Sequence, residues 1–324
     1  MDKYTLKLRQ NMSLEDKVRF TQRRIEEWVD EFTVDGCYVS FSGGKDSTVL
    51  LDIVRGLYPE ITAVFVDTGL EYPEIRQFIK TFDNVTILRP KKSFKEVIND
   101  YGYPIISKEV SECVDQARKA ITTGKYNYRL KKLEGTARDK DGNLSMYNIS
   151  KWKFLLDAPF KISNRCCFVM KKTPAHQYHK DTGKVPIIGT MAEESRLRQI
   201  QYLRQGCNGF NNKIPTSTPM AFWTEQDVLK YLYETKIPYA SVYGEIKIDK
   251  NGKYYTTGCQ RTGCMFCGYG CHLEKYPNRF QRLAETHPKQ YKYIMGELGF
   301  DKVLDFINVE YKPNIDNKGQ GKLF

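Results

Sequence analysis

The sequence predicts an α/β protein: a parallel sheet with helices on both faces, followed by a cysteine-rich and mostly helical C-terminal region. Three observations support this. Short β-type apolar runs alternate with amphipathic helical patterns through the first half of the chain. A glycine turn containing a lysine joins the first run to the helical pattern after it. Beyond residue 250, cysteines and glycines cluster between Tyr254 and Cys271.

Taken in order, residues 13–32 place Leu14, Val18, Ile25, Trp28 and Val29 among many charges, as an amphipathic helix does. The β-type runs are 37–41, 61–66, 85–88 and 185–188, with helical patterns at 48–57, 74–82 and 94–101 between them. In such sheets ligands bind beyond the carboxyl ends of the strands. Ser42–Ser47 follows the first strand and Asp67-Thr68-Gly69 the second. Between 122 and 160 the pattern lapses into a basic, tyrosine-rich insertion with Lys125, Tyr126, Tyr128, Arg129, Lys131, Lys132, Arg138, Trp152 and Lys153. Interleaved cations and aromatics suit nucleic-acid phosphates and stacked bases, and they equally suit a solvated helical insertion. A helix is expected at 223–233 and helical patterns over 279–307, while the tail 314–324 has no periodicity and is expected to be mobile. The expected domains are residues 1–240, nucleotide-binding and carrying the insertion, and 241–324, holding the cysteine cluster and terminal helices.

Composition narrows the class. With 324 residues, 40% hydrophobic and 28% charged, the chain can bury one large or two modest cores. It has no apolar run of about 18 residues and no apolar stretch near Met1, so neither a membrane span nor a signal peptide is expected, and the protein should be cytoplasmic. Nine cysteines in that compartment point to metal or redox chemistry rather than to structural disulfides. The formal charge of +12 favours a polyanionic partner, although a nucleotide site alone also collects cations.

Ser42-Gly43-Gly44-Lys45-Asp46-Ser47 has the parts of a phosphate cradle: glycines that let the backbone approach an anion, a lysine, and a helix start turning its N–H groups to the same place. The blander reading is a glycine turn capped by Asp46 or Ser47. It is not G-x-x-x-x-G-K-[ST], because Val39 stands at the first glycine and Asp46 at the last position. Cys259, Cys264, Cys267 and Cys271 are spaced C-x4-C-x2-C-x3-C, with Cys166-Cys167 upstream. Four such thiolates can surround a [4Fe–4S] cluster or a tetrahedral zinc, and spacing does not choose. Cys37, Cys113 and Cys207 are isolated and read as buried structural thiols, and His272 as a surface histidine or a further ligand.

S-G-G-K-D-S resembles the PP-loop of the ATP pyrophosphatase superfamily, shared with sulfonucleotide (PAPS and APS) reductases. Other stretches resemble the PAPS reductase-like family in the same order: Val66-Asp67-Thr68-Gly69; Arg165-Cys166-Cys167 with the later Gly263-Cys264-Met265-Phe266-Cys267; Gly189 through Arg198; and Pro219 through Tyr231. The resemblance implies a Rossmann-like, adenine nucleotide alpha hydrolase-like fold. It implies that Ser42, Gly43, Gly44, Lys45, Asp46 and Ser47 hold the pyrophosphate of ATP with Mg²⁺, Lys45, Asp46 and Ser47 being catalytic. Asp67, Thr68, Gly69, Glu194, Ser195 and Arg198 would complete the nucleotide and acceptor sides. It also tips the metal toward a [4Fe–4S] cluster on four of Cys166, Cys167, Cys259, Cys264, Cys267 and Cys271, with zinc the alternative. Two departures matter: Met191 replaces the family's arginine, and no cysteine follows Cys271, where reductases carry their nucleophile. PP-loop proteins without that tail include components of DNA phosphorothioation and tRNA thiolation. The resemblance therefore implies an ATP pyrophosphatase that adenylates an acceptor for sulfur transfer, with nucleic acid as acceptor and a cysteine desulfurase or similar protein as sulfur donor. A sulfonucleotide reductase with an atypical nucleophile, and a non-catalytic zinc-stabilised nucleic-acid-binding module, are the alternatives.

Overall fold

The structure, a computed structural model, describes residues 2–125 and 127–313, so the tail expected to be mobile lies outside the described residues. Two compact units emerge, each made of two stretches of chain: residues up to Pro90 with Thr173–Gly263, and Lys91–Lys172 with the residues from Cys264 onward. The division expected at 240 runs along the chain, whereas these units interleave, because residues 91–172 leave and re-enter between two strands of one sheet.

The first unit holds a six-stranded sheet ordered Val85–Leu88, Thr62–Val66, Cys37–Ser40, Val185–Ile188, Thr216–Ser217, Asn208–Gly209. All pairs are parallel except the last, with Val39 opposite Ala63 on one side and Ile187 on the other. Parallel strands buried on both faces read as continuous apolar runs. Cys37, Val39, Ala63, Phe65 and Ile187 are accordingly buried. Helix Leu14–Phe32 starts at Ser13, whose hydroxyl accepts from the Asp16 N–H at 3.1 Å. Its inner face buries Lys17, Thr21, Ile25, Trp28 and Val29. The two polar members are satisfied: Lys17 Nζ donates to Asp227 Oδ2 at 2.6 Å, and Thr21 Oγ1 accepts from Trp223 Nε1 at 2.9 Å. The helix expected at 223–233 runs Glu225–Thr235, because Thr224 and Asp227 form a reciprocal cap at its start.

In the second unit, helix Phe94–Tyr101 begins with a capping box between Ser93 and Glu96. Ile105–Ile106 pairs in parallel with Gly268–Tyr269, and helix Lys108–Thr123 follows. The basic stretch folds as helix Tyr128–Glu134 and a 3₁₀ segment Ser150–Asp157. Arg118 secures the latter, its guanidinium donating to the carbonyls of Leu155, Leu156, Ala158 and Phe160 at 2.6–3.2 Å. Some of its cations are spoken for: Arg129 pairs with Glu112 at 2.8 Å and buried Lys132 with Glu109, whereas Lys125, Lys140, Lys151 and Lys153 are exposed. The helical stretch expected at 279–307 is broken by Pro288 and Gly299 into Arg279–Thr286, Pro288–Lys292, a π turn at Tyr293–Glu297 and Phe300–Phe306. No helix among the described residues is long and apolar enough to cross a membrane.

Candidate active site

The glycine loop leaves the carboxyl end of Cys37–Ser40 and enters helix Lys45–Leu57. Gly43 has φ +70°, and a Cβ there would meet Ile75 Cγ2 at 2.9 Å and Ile79 Cδ1 at 3.0 Å, so conformation and space both demand glycine. Gly44 precedes the helix with no side chain to cap it, and its own N–H reaches Ser42 Oγ at 3.4 Å. Ser47 braces the turn: its hydroxyl donates to the Gly44 carbonyl at 2.9 Å and accepts from the Ser42 N–H at 3.2 Å. The Lys45 side chain is only 6% exposed. Its Nζ donates to Glu225 Oε1 and to the Gln260 carbonyl, each at 2.6 Å, and lies 5.6 Å from the centre of the Tyr243 ring. The Lys45 N–H donates to the Tyr243 hydroxyl at 3.2 Å, and that hydroxyl also bonds Thr262 Oγ1. Burial pushes the Tyr243 pKa up to about 12, so the phenol stays protonated beside the loop.

Carboxylates surround the helix start. Asp46 Oδ1 is shielded from solvent and has no hydrogen-bond partner among the described residues. Burial raises the Asp46 pKa to about 6, against Lys45 and Arg261, which lower it, and with Glu194 and Glu225, which raise it further. Glu194 accepts from the Met191 N–H at 2.9 Å and pairs with Arg198, while Ser195 caps helix Arg196–Gln205 through the Arg198 N–H at 3.3 Å. Met191, where an arginine was expected, is 3% exposed and packs in the core. Beyond the second strand, Asp67 accepts from the Gly69 N–H at 3.2 Å and from Arg76 at 3.0 Å, while the Thr68 hydroxyl and N–H both donate to Glu71. The sequence reading missed Glu225, Tyr243, Gln260 and Thr262, since no local spacing ties residues so distant in the chain to Lys45.

The cysteines divide between the units. Cys259 belongs to the first, where its N–H donates to the Val242 carbonyl at 2.9 Å. Cys166, Cys167, Cys264, Cys267 and Cys271 all belong to the second. Burial holds the Cys166 thiol well above its ordinary range, and the neighbouring Cys264, Cys167 and Cys267 add to that shift. Cys267 is raised by burial and by Cys167, against a hydrogen bond from the Tyr269 N–H and the charge of Arg279. Cys271, pushed up to about 12 chiefly by burial, donates to the Gly268 carbonyl at 3.1 Å. Among the described residues no three His, Cys, Asp or Glu side chains are grouped as a single metal ion requires. His272, beside Cys271, meets Trp152 edge to face at 5.1 Å, and burial lowers its pKa. Cys37, Cys113 and Cys207 are buried, as expected. Ile106, opposite Tyr269, holds φ +62°, a strained conformation for a β-branched residue beside the thiols.

Comparison with known proteins assigns the frame. An adenosine 5'-phosphosulfate reductase of Staphylococcus epidermidis is 23% identical over 240 residues, spanning 72% of this chain and 73% of that protein. An uncharacterized protein of Methanocaldococcus jannaschii is 23% identical over 272 residues, which are 81% of this chain but 48% of the archaeal protein, so the chain spans about half of that relative. A crystal structure of phosphoadenylyl-sulfate reductase from Candida auris, in a phosphate complex, aligns with 78% of the chain and 98% of its own at a TM-score of 0.40 and 15% identity. The phosphoadenosine phosphosulfate reductase domain matches residues 36–137 and 108–268, well over half of the sequence, and the chain belongs to that family.

Proposed function

We propose that the chain is an ATP pyrophosphatase that adenylates an acceptor for sulfur transfer. The observation that carries this reading is the loop itself: a left-handed Gly43 packed on Ile75 and Ile79, a helix start whose cap residue Gly44 has no side chain to occupy it, and the buried Lys45 ammonium beside them. These are donors preorganised for the charge that gathers on a departing pyrophosphate. An oxygen of the acceptor attacks the α-phosphorus of ATP, the α–β bridging bond breaks, and its electrons leave with pyrophosphate. A sulfur nucleophile then displaces AMP from the acceptor. Lys45 exchanges Glu225 and the Gln260 carbonyl for phosphate oxygens, and Tyr243 keeps the loop amide oriented. Asp46, with its unpartnered oxygen, fits a role in holding Mg²⁺ against the phosphates. The acceptor is nucleic acid in this reading, in keeping with the formal charge of +12, and a cysteine desulfurase or similar protein supplies the sulfur.

The donor set of the second unit fits a [4Fe–4S] cluster. Cys166 is buried, and Cys264, Cys167 and Cys267 are near enough to add to the burial that raises its pKa, a cost that iron would relieve; cluster thiolates bind separate irons rather than one point. When bound, the cluster would supply electron transfer or a sulfur-binding iron. Arg279 and the Tyr269 N–H would hold charge at Cys267.

The test is product analysis. Protein loaded with iron under anaerobic conditions and given ATP with total cellular RNA or DNA should release AMP and pyrophosphate; ADP and phosphate instead would sink the reading. The second reading, reduction of adenosine 5'-phosphosulfate, is favoured by the staphylococcal relative. Sulfite released from that substrate with thioredoxin, and no pyrophosphate from ATP, would establish it.

A further inference from the structure

In the second unit a cavity of about 780 Å³ opens between the end of helix Phe94–Tyr101, helix Lys108–Thr123 and residues 161–165. At its rim the Arg165 guanidinium lies over two rings, 5.6 Å from the centre of Tyr101 and 5.5 Å from that of Phe168, which is 45% exposed. Among the described residues Arg165 has no carboxylate partner. A guanidinium held by ring faces keeps its donors in plane and aimed outward, the geometry that grips a phosphate. Lys161 adds a second cation, tethered by the carbonyls of Asn99 and Asp100 at 3.1 and 3.3 Å, while the Asp100 carboxylate is taken by Lys92 at 2.5 Å.

The inner wall is a different surface. Glu112 accepts from Asn164 Nδ2 and from Gln116 Nε2, each at 3.1 Å, and from Arg129 at 2.8 Å. This fixes both amides while leaving the Asn164 carbonyl and one N–H of each amide for a guest. Fixed amide edges beside a stacking surface and two cations match a base and its phosphate. A duplex would keep its base edges paired and out of such a groove.

We propose that this groove binds one nucleotide unit of a single-stranded nucleic acid, with its phosphate on Arg165 and Lys161 and its base edge against Asn164 and Gln116. The inference rests on the nucleic-acid acceptor of the proposed function and names where that acceptor docks. The test has two measurements on the full chain. Fluorescence anisotropy with labelled mixed-sequence RNA and DNA strands of about 15 nucleotides should show salt-sensitive binding that Arg165→Gln weakens by about tenfold; the two arms tell which sugar is preferred. Photocross-linking of bromouridine- or bromodeoxyuridine-substituted strands to the wild-type protein should map to peptides containing Tyr101, Gln116, Asn164 or Phe168, a readout independent of how the variant folds. Absence of binding in both arms, wild-type affinity in Arg165→Gln, or cross-links confined to other peptides would overturn the proposal. Pyrophosphate release from ATP is assayed separately. Strand binding without it leaves the groove standing and removes the adenylation reading; release with cross-links elsewhere does the reverse.

Discussion

The glycine loop and the thiol region handle buried charge in opposite ways. At the loop, the Lys45 ammonium is shielded from water but met by Glu225 and a carbonyl at 2.6 Å, so the site is balanced without a ligand. Among the thiols, burial raises the pKa of Cys166 and Cys267 and neighbouring cysteines add to both shifts, so ionisation of these two is disfavoured without a cation beside them. The first region carries its counterion in the fold; the second, by the proposal above, takes one from outside. One side chain should therefore disable each region without touching the chemistry of the other.

The sharpest break of that contrast is Lys45→Ala. Pyrophosphate release should fall about 10²–10³-fold, while absorbance of the iron-loaded protein near roughly 400 nm stays unchanged; a parallel loss of colour would erase the distinction. Cys267→Ser should do the converse, abolishing the absorbance with ATP affinity held within about twofold by calorimetry. Next is Gly43→Ala, which forces a Cβ into a left-handed turn against Ile75 and Ile79; urea unfolding should show a loss of about 1–3 kcal/mol.

Asp46→Asn probes the cost of balance. Because burial raises the Asp46 pKa from 3.8 to about 6, the folded state holds this proton more tightly than the unfolded chain. Its ionisation lowers stability progressively between those values, and fully above them. The asparagine variant should be more stable by about 1–3 kcal/mol at neutral pH, with the difference gone below the lower value; equal stability at both pH values would show that the carboxylate is hydrated. The smallest effect is expected of Glu225→Gln, which frees Lys45 and should tighten ATP binding by a few-fold, about 1 kcal/mol or less.

Legibility in the sequence followed how local the code was. The four longer strands and the glycine loop could be read because each is written in consecutive residues, as was helix Phe94–Tyr101. The strands Asn208–Gly209 and Thr216–Ser217 were missed, since two polar or small residues carry no period and are ordered only by neighbours already in the sheet. The π turn at Tyr293–Glu297 looked like continuous helix for the same reason. At the site, the glycine turn and its lysine were legible but their resting partners were not. Glu225 meets Lys45 across 180 residues and Tyr243 across 198, and neither sits in a pattern of its own.

Because Lys45 already holds a carboxylate, its ammonium presents little net attraction to stray monovalent anions. An anion binding there has to out-compete an internal carboxylate and a peptide dipole at once. On the proposed reading, preference for a polyphosphate chain over AMP would then come from the strength of the rival that must be evicted.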